Sequence, residues 1–404
     1  MHFIKYSIFL LLITFLSCSR QKNQNPTEET KIHLIYRDTM LTRQYDSIIS
    51  PKIDEWFKKL YTTSRFNGNI LVAKNGVIIY ENFYGYANYQ KKDTLNLNYK
   101  FQIGSVSKQF TATAIMLLHQ RGFLDYQDSI QKFIPDFPYK GINIYQLLTH
   151  RSGLPNYNYF CDFYTDKINT IYNDDVLRLM IDSTPAPYYK PNHGFHYCNT
   201  NYALLATIVE KISKMPFEHF INKEIFNKAG MLNTTVYVKG KHERIYKAAA
   251  GYHYKWLVAE HTYQDGVTGD KGIYTTVEDL LRWDLALYNN KIINDTILQQ
   301  AFKYPAPRKN SIHAYGFGWR MRKCADNSKI IYHGGWWRGF NALFVRDIKN
   351  KVTIVILSNI HTKSFTGSYR ELLDIFDRKR MQKRLKIKEK TKKETIEKIE
   401  NKSD

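Results

Sequence analysis

Much is missing from this sequence of 404 residues. No Cys/His spacing resembles a zinc site, and the 13 His are scattered without an H-E-x-x-H or similar cluster, so no metal centre is expected. No segment repeats, which argues against a solenoid or propeller. The apolar run Tyr6 to Leu16 falls short of the roughly 20 residues that a membrane-spanning helix needs. Cysteine is sparse, with four in the chain. Acidic residues are few beside basic ones: 37 Asp+Glu against 59 Lys+Arg leave a net charge of +22. Such a balance favours anionic partners: lipid headgroups, acidic wall polymers or nucleic acid.

What is present is ordinary for a globular chain. Apolar residues make up 43% and charged residues 24%, enough for a large core. The length permits two or three domains, or one mixed domain of about 300 residues with insertions. The 31 Tyr are expected mainly in the core and lining a cleft. Part of the positive charge is local. Residues 378–404 hold 12 Lys/Arg and 5 Asp/Glu with few apolar residues. The tail 377–404 therefore reads as a solvated helix or a disordered segment, or as a basic stretch touching anionic lipid.

Residues 1–18 read as an export signal. Lys5 supplies the positive start, Tyr6 to Leu16 the apolar centre, and Phe15-Leu16-Ser17-Cys18 the end. The small residue before Cys18 resembles a bacterial lipobox, in which Cys18 is lipidated and becomes the mature N-terminus. Phe15 fits that pattern less well than Leu would. A plain cleavage site or an uncleaved anchor is the alternative. Residues 19–37 form a polar tether. The expectation is an exported, membrane-anchored lipoprotein facing the periplasm, and this argues against nucleic acid as a partner. In an oxidising compartment Cys161, Cys198 and Cys324 remain, an odd number that permits at most one disulfide.

The rest, 38–376, reads as one α+β domain. Asp38 to Ser64 is helical with an interruption near Pro51. Gly68 to Ala73 and Val77 to Tyr80 are strand-like, joined by Lys74-Asn75-Gly76 as a hairpin turn. Phe101 to Ile103 is strand-like. Ser105 to Arg121 is a helix apolar nearly all round, so buried, with Gly122 as its stop. Further helices are expected at Thr200 to Ser213, Pro216 to Lys228 and Val277 to Tyr288. Lys329 to Tyr332, Phe340 to Arg346 and Val352 to Leu357 then read as an antiparallel meander, and Ser368 to Asp377 as a last helix. Strands at both ends and helices between predict one antiparallel sheet built from both chain ends, with the helix-rich middle packed on it.

Three short patterns carry chemistry. In Gly104-Ser105-Val106-Ser107-Lys108, Ser105 opens the buried helix, and i and i+3 share a helix face, so Ser105 and Lys108 meet. A serine hydroxyl needs a base to become a nucleophile. A lysine desolvated beside an apolar helix has its pKa lowered and can serve as that base or as electrostatic support. In Tyr197-Cys198-Asn199, an extended segment points the phenol and the amide the same way. The phenol can pass a proton between nucleophile and leaving group. In His333-Gly334-Gly335, at the end of a strand, the glycines admit close backbone approach, and the Trp336 N–H can join that of Ser105 as an oxyanion hole. Each pattern alone is weak: an N-cap Ser, a loop Tyr and a hairpin His are common.

Together and in this order they resemble the penicillin-binding and class C β-lactamase-like serine hydrolase family, whose pattern is S-x-x-K, Y-x-N and K/H-x-G. Phe101 to Phe110 (FQIGSVSKQF), Leu147 to Pro155 (LLTHRSGLP), Gly269 to Leu287 and Tyr315 to Trp319 resemble that family's supporting segments. The resemblance covers residues 50–376. It implies the β-lactamase/transpeptidase-like fold and an acyl-enzyme on Ser105. Lys108 and Tyr197 would share acid/base duty, and Asn199 would bind Lys108 and a substrate amide. His333, Gly335 and Trp336 would form the far wall and the oxyanion hole. No cofactor is implied. His333 stands where dedicated β-lactamases carry Lys, and Cys198 where Ser is common; Cys198 is read as packing rather than redox control. The implied function is hydrolysis of a small ester, amide or D-amino-acid peptide, possible cell-wall material included. The alternatives are a true β-lactamase, or a catalytically weak wall-binding lipoprotein.

Overall fold

The computed structural model describes residues 49–242, 244–303, 311–361 and 369–377. Cys18, the polar tether and the basic tail lie outside the described residues. Among the described residues no helix is long and apolar enough to cross a membrane.

The first helix, α1 (Ser50–Ser64), carries Pro51 in its first turn, where an interruption was expected; residues 38–48 of the helix expected over Asp38 to Ser64 lie outside the described residues. Proline suits a first helical turn, whose N–H groups lack intrahelical partners anyway. Strands β1 (Gly68–Lys74) and β2 (Val77–Tyr84) follow as a hairpin. The short strand β3 (Phe101–Gln102) leads into a 3₁₀ turn, Gly104–Ser107, and then α2 (Lys108–Gln120). The chain continues through α3 (Tyr157–Tyr164), α4 (Asn199–Ser213), β4 (Ile273–Thr275) and α5 (Val277–Tyr288). It closes with β5 (His313–Tyr315), β6 (Arg320–Lys323), β7 (Lys329–Trp337), β8 (Phe340–Asp347), β9 (Val352–Ser358) and α6 (Tyr369–Ile375).

The large sheet has the order β2-β1-β9-β8-β7-β6-β5, with every pair antiparallel. The two chain ends meet where Gly68 pairs with Ser358 and Lys74 with Val352. Side chains alternate across each strand. Leu71, Ala73, Val355 and Leu357 therefore join the core shared with the helical middle. Ile70, Val72, Ile354 and Ile356 join a second core under α1 and α6. The sheet is covered on both faces, which explains why its central strands read as continuous apolar runs. A buried Arg346–Asp284 ion pair, with Thr353 donating to the same carboxylate, ties α5 to β8 and β9.

Two expectations change. The helix expected over Pro216 to Lys228 runs without a break from Phe217 to Ala229 but widens into a π-turn at Asn222–Phe226. The strand expected to stop at Tyr332 runs on to Trp337, because β8 continues to pair with it through Trp337↔Phe340. This extension positions the site described next.

Candidate active site

The 3₁₀ turn at Gly104–Ser107 sits between β3 and α2, and Ser105 is half-buried there. From Lys108 to Leu118 every residue of α2 is buried, so the Lys108 stem is fixed by packing. Its Nζ donates to Ser105 Oγ at 3.2 Å, to Asn199 Oδ1 at 2.8 Å and to the main-chain oxygen of Asp270 at 2.9 Å. Asn199 is the first residue of α4, and its Nδ2 donates to Asn158 Oδ1 at 2.5 Å. Three elements distant in sequence thus hold one amine against the serine.

Tyr197 lies just outside α4, its ring centre 5.0 Å from Lys108 Nζ. The ring packs on His150 at 4.4 Å and on Tyr315 at 5.9 Å. Its hydroxyl is buried and has no hydrogen-bond partner. Most buried polar atoms are paired, and this hydroxyl is an exception among the described residues.

Strand β6 pairs with β7 only as far as Arg320↔Tyr332. Beyond that, His333 to Trp337 pair with β8 alone, and the serine turn lies against Gly335 and Trp336. Gly104 and Gly335 let the two backbones touch. A Cβ on Gly104 (φ +49) would stand 2.8 Å from Trp336 N, and one on Gly335 would stand 1.9 Å from Ile103 O and 3.2 Å from Ser105 N. The main-chain nitrogens of Ser105 and Trp336 therefore approach one another across the cleft floor, as an oxyanion hole requires. The Trp336 side chain is 51% exposed and donates Nε1 to His361 Nδ1 at 3.3 Å.

His333 departs from the solvent-facing hairpin residue that its motif alone would allow. It lies within β7, 1% exposed, with Nε2 3.1 Å from Tyr315 Oη and Nδ1 2.6 Å from Gly334 O. Burial, then the Arg320 and Lys108 charges, push its pKa well below the usual histidine value. His150 is pushed down in the same way, first by burial and then by Lys108. Both stay neutral in the fold, whereas the unfolded chain's imidazoles bind protons as pH drops through about 6.5. Acidification thus feeds the unfolded state, and stability present above that pH is lost below it. Each histidine contributes a slope of up to about 1.4 kcal/mol per pH unit. The urea midpoint is expected to fall between pH 6.5 and 5; a flat midpoint would contradict the burial of two neutral imidazoles.

Cys198 is buried with Sγ 3.4 Å from Leu154 O, and burial raises its pKa to about 11. That suits packing rather than reactivity. Cys161, Cys198 and Cys324 are all free thiols. Among the described residues no three His, Cys, Asp or Glu side chains gather in a group that could hold a metal ion.

The structure thus brings together Ser105, Lys108, Tyr197, Asn199, His333, Gly335 and Trp336. Sequence reasoning missed the residues behind them: His150, Asn158, Tyr315, Arg320 and the Asp270 carbonyl. His150 and Tyr315 lie in segments whose resemblance was noted, but their contacts arise only in the fold. Tyr157 is wholly buried, whereas Tyr159 and Tyr188 are exposed.

The sequence profile of the Beta-lactamase family matches residues 53–375. Penicillin-binding protein 4* of Bacillus subtilis (strain 168) is 36% identical over 318 residues, covering 75% of this chain and 70% of that protein. Protein flp of Staphylococcus aureus (strain COL) is 28% identical over 309 residues, covering 73% of this chain and 60% of that protein. Among solved structures, a penicillin binding protein from Bacillus halodurans superposes with a TM-score of 0.66 at 24% identity, covering 77% of this chain and 94% of that one. A D-amino acid amidase from Ochrobactrum anthropi SV3 does so with a TM-score of 0.63 at 21% identity, covering 81% and 96%. At such identities these two structures establish a common fold.

Proposed function

The chain belongs to the β-lactamase family, whose members here are serine hydrolases, and from that premise we propose that it hydrolyses a small ester, amide or D-amino-acid peptide through an acyl-enzyme on Ser105. The observation that carries this reading is the contact of Lys108 Nζ with Ser105 Oγ at 3.2 Å beside the unpartnered Tyr197 hydroxyl.

The steps follow from the arrangement. Ser105 Oγ attacks the substrate carbonyl, and its proton passes to the Lys108–Tyr197 pair. A coupled pair need not have one owner of that proton. The carbonyl oxygen, now an oxyanion, receives hydrogen bonds from the Ser105 and Trp336 N–H groups. Tyr197 Oη donates a proton to the leaving group as the carbonyl–heteroatom bond breaks, leaving an ester on Ser105 Oγ. Water then attacks that ester, giving its proton to the same pair. The acid is released and the Ser105 hydroxyl restored. A peptide substrate can lie along the open edge of β7 and pair its backbone with residues 333–337.

His333 itself supplies no positive charge to a substrate carboxylate, and this favours esters, amides and peptides over efficient β-lactam turnover. We further propose that the enzyme is exported and anchored through a lipid on Cys18, as the residues before that cysteine imply.

The test is p-nitrophenyl ester hydrolysis by the wild type and by Ser105→Ala. Ser105→Ala is expected to abolish turnover with the fold intact. Unchanged turnover would place the chemistry elsewhere.

A further inference from the structure

A second lysine is buried directly behind Lys108. Lys271 follows Asp270, the residue whose main-chain oxygen accepts from Lys108 Nζ. Its side chain is 4% exposed and that of Asp270 is 1% exposed. Lys271 Nζ donates to Tyr157 Oη, to Val267 O at 3.3 Å and to Asp270 Oδ1 at 3.4 Å. Tyr157 Oη in turn donates to Asp270 Oδ2 at 2.8 Å. The ammonium also stands 4.8 Å from the centre of the Trp337 ring. Trp337 immediately follows the Trp336 N–H on the open edge of β7, and its Nε1 donates to Asp265 Oδ1 at 2.7 Å.

An ammonium in a dry interior is costly unless paired, and removing one partner of such a pair is strongly unfavourable. Ordinary packing does not require it here: an apolar side chain of the same length would fill the slot. What the ion pair adds is direction. It holds Asp270 from its side-chain end, so that the peptide carbonyl points at Lys108. Through the Trp337 ring it also ties that carbonyl to the strand bearing the oxyanion donor. The adjacent residue on α3, Asn158, holds a further Lys108 acceptor, Asn199. Tyr157 and Asn158 thus hold, from one helix start, the two residues other than Ser105 that accept from Lys108.

We infer that Lys271, with Asp270 and Tyr157, is a positioning residue that aligns Lys108 with the oxyanion edge of β7. This rests on the proposed role of Lys108 in activating Ser105. Misplacing a reacting group by about 1 Å costs roughly 100-fold in rate. Lys271→Met is therefore expected to lower kcat about 10- to 100-fold, with KM changed by no more than about threefold, since substrate contacts are untouched. Because that variant leaves the Asp270 carboxylate with the Tyr157 hydroxyl but no cation, Asp270→Asn/Lys271→Met is made beside it; both charges go and the packing stays. The same fall in kcat is expected in the double variant. Wild-type kcat in either folded variant would overturn the inference, as would a rise in KM alone. Restored kcat in the double variant would reduce Lys271 to a counter-ion for Asp270, and this too would overturn it. Ser105→Ala run in the same assay separates the two failures. Turnover that depends on Ser105 but not on Lys271 sinks only the positioning role. Absence of Ser105-dependent turnover sinks the parent reading as well.

Discussion

Lys108→Met is expected to lower kcat for ester hydrolysis by about three orders of magnitude. The amine is 3.2 Å from the serine oxygen, in reach of its proton as one half of the Lys108–Tyr197 pair. Methionine fills the same slot in α2 but accepts no proton, so Ser105 would have to attack as a neutral alcohol. The fold is expected to survive. The stem is packed identically, and the acceptors left behind are an amide still bonded to Asn158 and one main-chain oxygen. Steady-state kinetics with circular dichroism checks both halves of the expectation. A folded variant with kcat within about tenfold of the wild type would remove Lys108 from proton transfer.

Tyr197→Phe separates activity from stability in opposite directions. The Tyr197 hydroxyl is buried and unpartnered, and such a group costs about 1–3 kcal/mol. Phenylalanine keeps the ring between His150 and Tyr315 and removes that cost, so the melting temperature is expected to stay level or rise. Meanwhile kcat is expected to fall about 100- to 1000-fold, because the leaving group loses its proton donor. The loss should be steepest for amides, whose leaving nitrogen needs the proton most. A variant that melts lower and turns over at the wild-type rate would assign Tyr197 to packing.

Local rules made much of this legible. Helical spacing alone placed Ser105 beside Lys108, because i and i+3 share a face whatever else the chain does. Alternation and turn residues located the hairpin of β1 and β2, and Val277–Tyr288 is helical over the bounds expected. The limits are equally specific. Gly334 and Gly335 read as the end of a strand, because glycine has low strand propensity. They instead continue β7, where the missing side chains let it lie against Gly104. Nothing local in the sequence reveals the burial of His333. Its neutrality comes from three surroundings (the interior, Arg320 and Lys108) that only the fold assembles. The Asp270 carbonyl, 162 positions from Lys108, carries no side-chain signal at all, since any residue type offers that oxygen. Asn158 and Tyr157 were unreadable for a related reason: α3 matters through where it docks rather than through its own pattern.

The central claim is that Ser105 becomes acylated, and intact-mass spectrometry during turnover of a slowly released ester tests it most directly. The account predicts a mass gain equal to one acyl group, mapping to the peptide that contains Ser105 and missing from Ser105→Ala. An acyl group on another residue, or full turnover by Ser105→Ala with no adduct, would contradict it.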